Sequence, residues 1–177
     1  MSVPPWLKNS ANRLAAGVEI SVLGGLLALG LMAVLGAFSG MRWYRYGNLL
    51  SIGLYPPTVF NENFGYWSLA GFALGFLYFV VAGLLFACIL RSRKRGVGPY
   101  LAGIAYSLLF FLAGDRLWWQ AWSPYLVIYG IQSHLLWSHI LFGVTLGLLP
   151  ARLDQRDLAG VAFEDTSAET PANSESL

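Results

Sequence analysis

The chain has 177 residues, of which 56% are apolar and only 11% charged, against roughly 45–50% and 25% in ordinary soluble domains. Its net charge of +2 is too small to imply a nucleic-acid partner, and the basic residues sit at the edges of apolar runs. A single cysteine, Cys88, excludes intrachain disulfides, dithiol chemistry and multi-cysteine metal sites.

Four runs reach the roughly 20 apolar residues that a spanning helix needs. The first, near 14–38, is interrupted only by Glu19. Lys8 and Arg13 precede it as a basic flank. The run is far longer than the roughly 7–15 residues of a signal-peptide core, so it reads as a retained anchor. The second run, 66–90, carries no charge. The third, 99–119, is apolar until Asp115 and Arg116, and the fourth spans 125–149 or begins near Ile131. Backbone groups in hydrocarbon must bond within their own segment, so these runs are expected to be helices. The expected fold is an all-α transmembrane bundle of four helices over residues 1–156. A disordered acidic tail is expected over 157–177, where no apolar face is available to bury.

Between the first two runs lies a long loop, Ser39–Gly65. Pro56 and Pro57 break any helix there, and Leu49, Leu50, Ile52 and Leu54 suggest an interfacial or partly re-entrant segment. Lys8, Arg13, Arg91, Arg93, Lys94, Arg95, Arg152 and Arg156 fall on one side of a four-span chain, and only Arg42 and Arg45 on the other. The excess of positive charge marks the cytoplasmic side, so both termini are expected in the cytoplasm, with the protein in a cell inner membrane. Trp43, Tyr44, Tyr46, Tyr66, Trp67, Trp118, Trp119, Trp122 and Tyr125 collect at the opposite ends of the runs and read as an interfacial aromatic belt.

Three pairs of glycines recur at four-residue spacing: Gly36 with Gly40, Gly71 with Gly75, and Gly143 with Gly147. Such pairs let helix backbones approach closely in lipid, within this bundle or against another protein. Ionisable residues within the runs are costly and therefore informative. Glu19 is expected to reach the interface or pair with a cation at a neighbouring helix end. Asp115 and Arg116 diverge by about 100° on a helix and need separate partners. His134 and His139, the only histidines, project about 140° apart on the fourth run. His139 shares its face with Gln132, Gly143 and Gly147 and is expected to point into the bundle, near Tyr106, Ser107 or Phe110. His134 shares its face with Ser138 and Thr145, and one histidine or the other is expected beside Asp115, depending on where the fourth helix starts. A spacing of five is unsuited to two ligands on one metal, so no metal and no cofactor are expected.

The stretch His139-Ile-Leu-Phe-Gly143-Val-Thr-Leu-Gly147 resembles the last helix of several uncharacterised bacterial four-helix membrane proteins, which end in a His-x-x-Tyr/Phe-Gly-x-x-x-Gly pattern. The resemblance covers about a tenth of the chain and implies an inner-membrane location and four helices, with no activity. No enzyme motif is present, and Ser138 and His139, as neighbours, cannot form a triad by themselves. The residues therefore point to a structural or accessory subunit whose partners are the lipid bilayer and other membrane proteins, or a second copy of itself. The alternative is a small transporter, permeation unit or cofactor-binding redox subunit using Asp115, Arg116, His134, His139 and Glu19.

Overall fold

A computed structural model describes residues 5–90, 96–119 and 132–156, and these residues contain helices and turns but no strand. The elements are α1 (Pro5–Phe38), α2 (Arg45–Ser51), a 3₁₀ turn (Pro57–Asn61), α3 (Tyr66–Ile89), α4 (Val97–Gly114) closed by a π turn (Asp115–Trp119), and α5 (Gln132–Leu146). Residues 149–156 add a last helix, α6, after a turn at Gly147 and Leu148. Four helices, α1, α3, α4 and the α5–α6 unit, are long and apolar enough to cross a membrane. The basic loop at 91–95, the start of the fourth span before Gln132, and the acidic tail lie outside the described residues.

Two spans extend beyond their apolar runs. The helix of α1 begins at Pro5, well before Leu14, and the fourth span continues to Arg156, past Leu149. Hydropathy marks the part of a helix that fits hydrocarbon; it is blind to the turns that continue into the polar interface. At its other end α1 stops on Gly40. That residue has φ +75°, and Met41 N–H and Gly40 N–H bond back to the carbonyls of Gly36 (2.8 Å) and Ala37 (3.1 Å). This left-handed cap satisfies the last carbonyls of the helix.

The first loop folds back on the bundle. Tyr46, Gly47, Asn48, Leu49, Leu50 and Ser51 of α2 are all buried, so α2 is a packed element of the interior. It crosses α3 backbone to backbone: Gly71 abuts the carbonyl of Gly47, and Gly47 abuts the carbonyl of Ser68. Asn48 is the fastening. Its amide donates to the carbonyls of Val59 (2.9 Å) and Glu62 (3.1 Å), and its Oδ1 accepts from Ser68 Oγ. Ser68 in turn accepts from Gly65 N–H at 3.2 Å, which caps α3. One buried amide thus holds α2, the 3₁₀ turn and the start of α3 together, with its donors and acceptor used.

Two apolar clusters form the core. At the end carrying the first loop, Met32, Tyr46, Leu49, Leu50, Phe60, Phe111 and Leu135 pack together. At the end carrying both termini, Ile20, Phe79, Phe86, Phe142, Leu146, Leu149 and Leu153 do so. Tyr46 was expected in the interfacial belt but has no exposed surface, because α2 turns it inward against Gly36. Trp43, 52% exposed, fits the belt; it stacks on Phe72 and leans on Phe64.

Candidate functional site

The glycines decide how close the helices come. A Cβ built on Gly143 would lie 2.6 Å from Ile104 Cα and 2.8 Å from the Gly103 carbonyl, and one on Gly147 would lie 2.7 Å from Tyr100 Cα. Helices α4 and α5 therefore touch along their backbones. Gly75 faces Leu50 and Leu29, while Gly36 and Gly71 receive Tyr46 and Gly47. Gly40 differs from its expected packing role: nothing lies within 4 Å of its Cβ position, and the left-handed cap is its task. Gly103 and Gly47 complete the two crossings. They escape a search for spaced pairs because each meets its glycine partner on another helix.

Helix α5 carries both histidines into the bundle on different faces. His139 is 1% exposed, at the junction of the two core clusters, with ring centroids 5.1 Å from Phe111 and 5.2 Å from Phe79. Its Nδ1 lies 2.8 Å from the Leu135 carbonyl, so Nδ1 carries the proton. Its Nε2 is then the acceptor, 3.2 Å from the Tyr78 hydroxyl of α3. The cross-helix partner of the imidazole is thus Tyr78 rather than a residue of α4. Helix α4 reaches His139 through the backbone instead, with Ser107 Oγ donating to its carbonyl at 2.7 Å.

His134 closes a second node. Ser39 Oγ donates to the Leu35 carbonyl at 3.0 Å, which leaves that oxygen as acceptor for His134 Nε2–H at 3.2 Å. Nδ1 therefore accepts from the Tyr46 hydroxyl. Tyr46 lies in the first loop, where burial pushes its phenol up to about 12, so it keeps its proton at physiological pH. A continuous chain of donors results, from Tyr46 through the imidazole and Ser39 to the end of α1. The hydrogen-bond partners place a proton on Nδ1 in His139 and on Nε2 in His134.

Asp115 is bonded to neither histidine. Its Oδ1 accepts from Gln132 Nε2 at 3.3 Å, which joins the last turn of α4 to the first described turn of α5. The expected histidine–aspartate contact is corrected here: Tyr46 and Ser39 occupy His134, and Tyr78 and Leu135 occupy His139. Arg116 is exposed. Glu19 lies at the opposite end of the bundle, paired with Arg156 and with Arg152 Nε at 3.6 Å. It meets the cations of a neighbouring helix end, and with its side chain 43% exposed the pairing contributes little to stability.

Reading along the chain passed over Tyr78 and Asn48, and it placed Tyr46 in the aromatic belt rather than in the interior. The signal was present for Tyr78, a phenol at the centre of an uncharged span that must find a partner there. Among the described residues no three His, Cys, Asp or Glu side chains converge. Ser138, beside His139, is buried with its hydroxyl unpartnered, and nothing in the structure explains it.

Replacing His139 with phenylalanine keeps a ring among Phe79 and Phe111 but removes two hydrogen bonds, from Nδ1–H to the Leu135 carbonyl and from the Tyr78 hydroxyl to Nε2. A loss of about 1–3 kcal/mol is expected, read as a lower melting temperature in detergent; an unchanged value would show that the imidazole fastens nothing. No protein family, curated protein or solved structure matches the chain.

Proposed function

We propose that the protein is a structural or accessory subunit of a larger assembly in a bacterial inner membrane, with both termini in the cytoplasm. One observation carries the reading. In its most apolar stretch α4 is only 22% buried, against 56% for the last span, and Leu101, Leu109 and Leu112 line its bare face. The packing glycines are spent inside the chain, so the open surface of α4 is the place for a partner. The polar residues of the spans serve as internal fastenings at His134 and His139, and as end contacts at Glu19 and Asp115.

A small transporter, permeation unit or redox subunit draws less support. The two histidines share no partner, and each hydroxyl they use comes from a different element. A photoreactive residue at Leu109 tests the subunit reading: it should yield a discrete adduct in native membranes.

The excess of basic residues at the end carrying the termini supports the orientation. Cys88 is exposed near that end of α3. A membrane-impermeant maleimide is expected to spare it in intact cells and label it in inverted vesicles; labelling confined to intact cells would reverse the topology.

A further inference from the structure

The polar link between α2 and α5 is one hydrogen bond with a fixed direction. Tyr46 Oη donates to His134 Nδ1. Nε2 carries the imidazole proton and gives it to Ser39 Oγ, whose own hydrogen goes to the Leu35 carbonyl. The Tyr46 ring fills the notch over Gly36 and has no exposed surface. Among the described residues its hydroxyl has no other hydrogen-bond partner. His134 itself is only half-buried, and its neighbours Gln132, Ser133 and Ser39 are exposed. Protons from the side of the first loop can therefore reach the imidazole.

A neutral imidazole accepts at one nitrogen, whereas a protonated one donates at both. Protonation of His134 leaves the bond to Ser39 intact and turns Nδ1 from acceptor to donor toward Tyr46. The phenol oxygen could accept only by turning its own hydrogen away, into a buried site with no other acceptor among the described residues. A buried donor left in that way is costly. His139 lacks this feature. The Tyr78 hydroxyl that meets its Nε2 also lies 3.3 Å from the Phe110 carbonyl, a second acceptor, and the His139 ring is 1% exposed.

No charge at this end of the bundle is placed to offset an imidazolium. After Glu19, α1 carries no titratable side chain. The first loop adds Arg42, bonded to Tyr44 and Asn63, and the exposed Glu62. Helix α2 brings Tyr46 and Arg45, whose guanidinium lies over the Phe60 ring. Helix α4 brings the exposed Arg116 and Asp115, which is held by Gln132. In residues 120–131 the only titratable side chains are Tyr125 and Tyr129. We propose that the Tyr46–His134 bond is a proton-sensitive latch, closed while His134 is neutral and opened when acid on the side of the first loop protonates it. The bond is lost as pH falls through the ordinary imidazole range, about pH 8 to 5. The opening is local, because Asn48 still fastens α2 to the 3₁₀ turn and α3, and Ser39 still ties α5 to α1.

The test is amide hydrogen exchange of the full chain in lipid nanodiscs, at about pH 7.5 and about pH 5, the two ends of that range. Exposure times are scaled for the intrinsic pH dependence of exchange. The peptide covering α2 is expected to exchange about tenfold faster at the lower pH, the effect of one lost hydrogen bond, while the interiors of α1 and α3 are unchanged. His134→Gln keeps a hydrogen-bonding group at the position but cannot take up a proton, and should abolish the response. Tyr46→Phe should leave α2 fast at both pH values. Wild-type exchange in α2 that ignores pH would overturn the latch. A response retained in His134→Gln would assign it to another group and overturn the latch equally, as would acceleration of all helices together. If His134→Gln does not insert, nitrogen NMR of the wild-type imidazoles, assigned with His139→Phe, decides. The His134 ring should gain its second proton at Nδ1 over the same range, and a ring that stays neutral throughout contradicts the proposal.

Discussion

Gly143→Leu is expected to cost about 3 kcal/mol, the upper part of the usual range for overpacking, and to lower the melting temperature in detergent by roughly 6–12 °C. The reason is the identity of the obstacle. The first new atom would meet Ile104 Cα and the Gly103 carbonyl, which are backbone. A side-chain neighbour could rotate away, but a backbone can yield only if α4 and α5 separate. Separation would also break the bond from Ser107 Oγ to the His139 carbonyl and disturb the Gly147–Tyr100 contact one turn on. Gly30→Leu is the control. Nothing lies within 4 Å of its Cβ position, so the same substitution there should be neutral or slightly stabilising, since glycine in a helix interior costs about 0.5–1 kcal/mol. Equal effects at Gly143 and Gly30 would mean that the α4–α5 crossing is not the one described.

The second large effect is expected at Asn48→Ala, in a segment with no part in the spans. The substitution leaves the Val59 and Glu62 carbonyls without their amide donor and Ser68 Oγ without its acceptor. The Val59 carbonyl keeps the Glu62 N–H at 3.2 Å and Glu62 is exposed, so the cost falls chiefly on the buried Ser68 hydroxyl and on lost hydrogen bonds, about 1–3 kcal/mol in all. The loss should also be local. Amide exchange across residues 45–62 should accelerate while the interiors of α1 and α3 stay protected, because the loop is fastened by this side chain and the spans by their own packing. Uniform acceleration through all helices would show that α2 is part of the cooperative core. Unchanged exchange in the loop would show that the apolar burial of Leu49 and Leu50 suffices to hold it.

Run length was enough to locate the spans, because hydrocarbon permits few alternatives to a helix. The apolar middle of the first loop was likewise visible, and α2 is its structural counterpart. Other features depend on what faces what across the bundle. Gly40 carries the same spacing signal as Gly71 and Gly75, yet Gly40 ends a helix and the others lie in a crossing. Only the chain direction after Ser39 separates these cases. The partners of His134 and His139 could not be read along one helix either. They come from Tyr46, 88 positions away, and Tyr78, 61 away, and depend on α2 folding back into the bundle. Asp115 offered the nearest charge in depth, but the two hydroxyls were already in place.

The proposed contact of the open face of α4 with a partner is tested most directly by a photoreactive residue at Leu109. Leu109 is 67% exposed on that face; Leu26 of α1, 59% exposed, serves as the control position. The experiment is done in native membranes, followed by purification in mild detergent and absorbance of the intact complex. One discrete protein adduct is expected from Leu109, of defined mass above the 19.4 kDa chain and absent from Leu26. Lipid-only adducts at both positions, with the chain purifying alone, would contradict it, as would a bound chromophore in place of a partner.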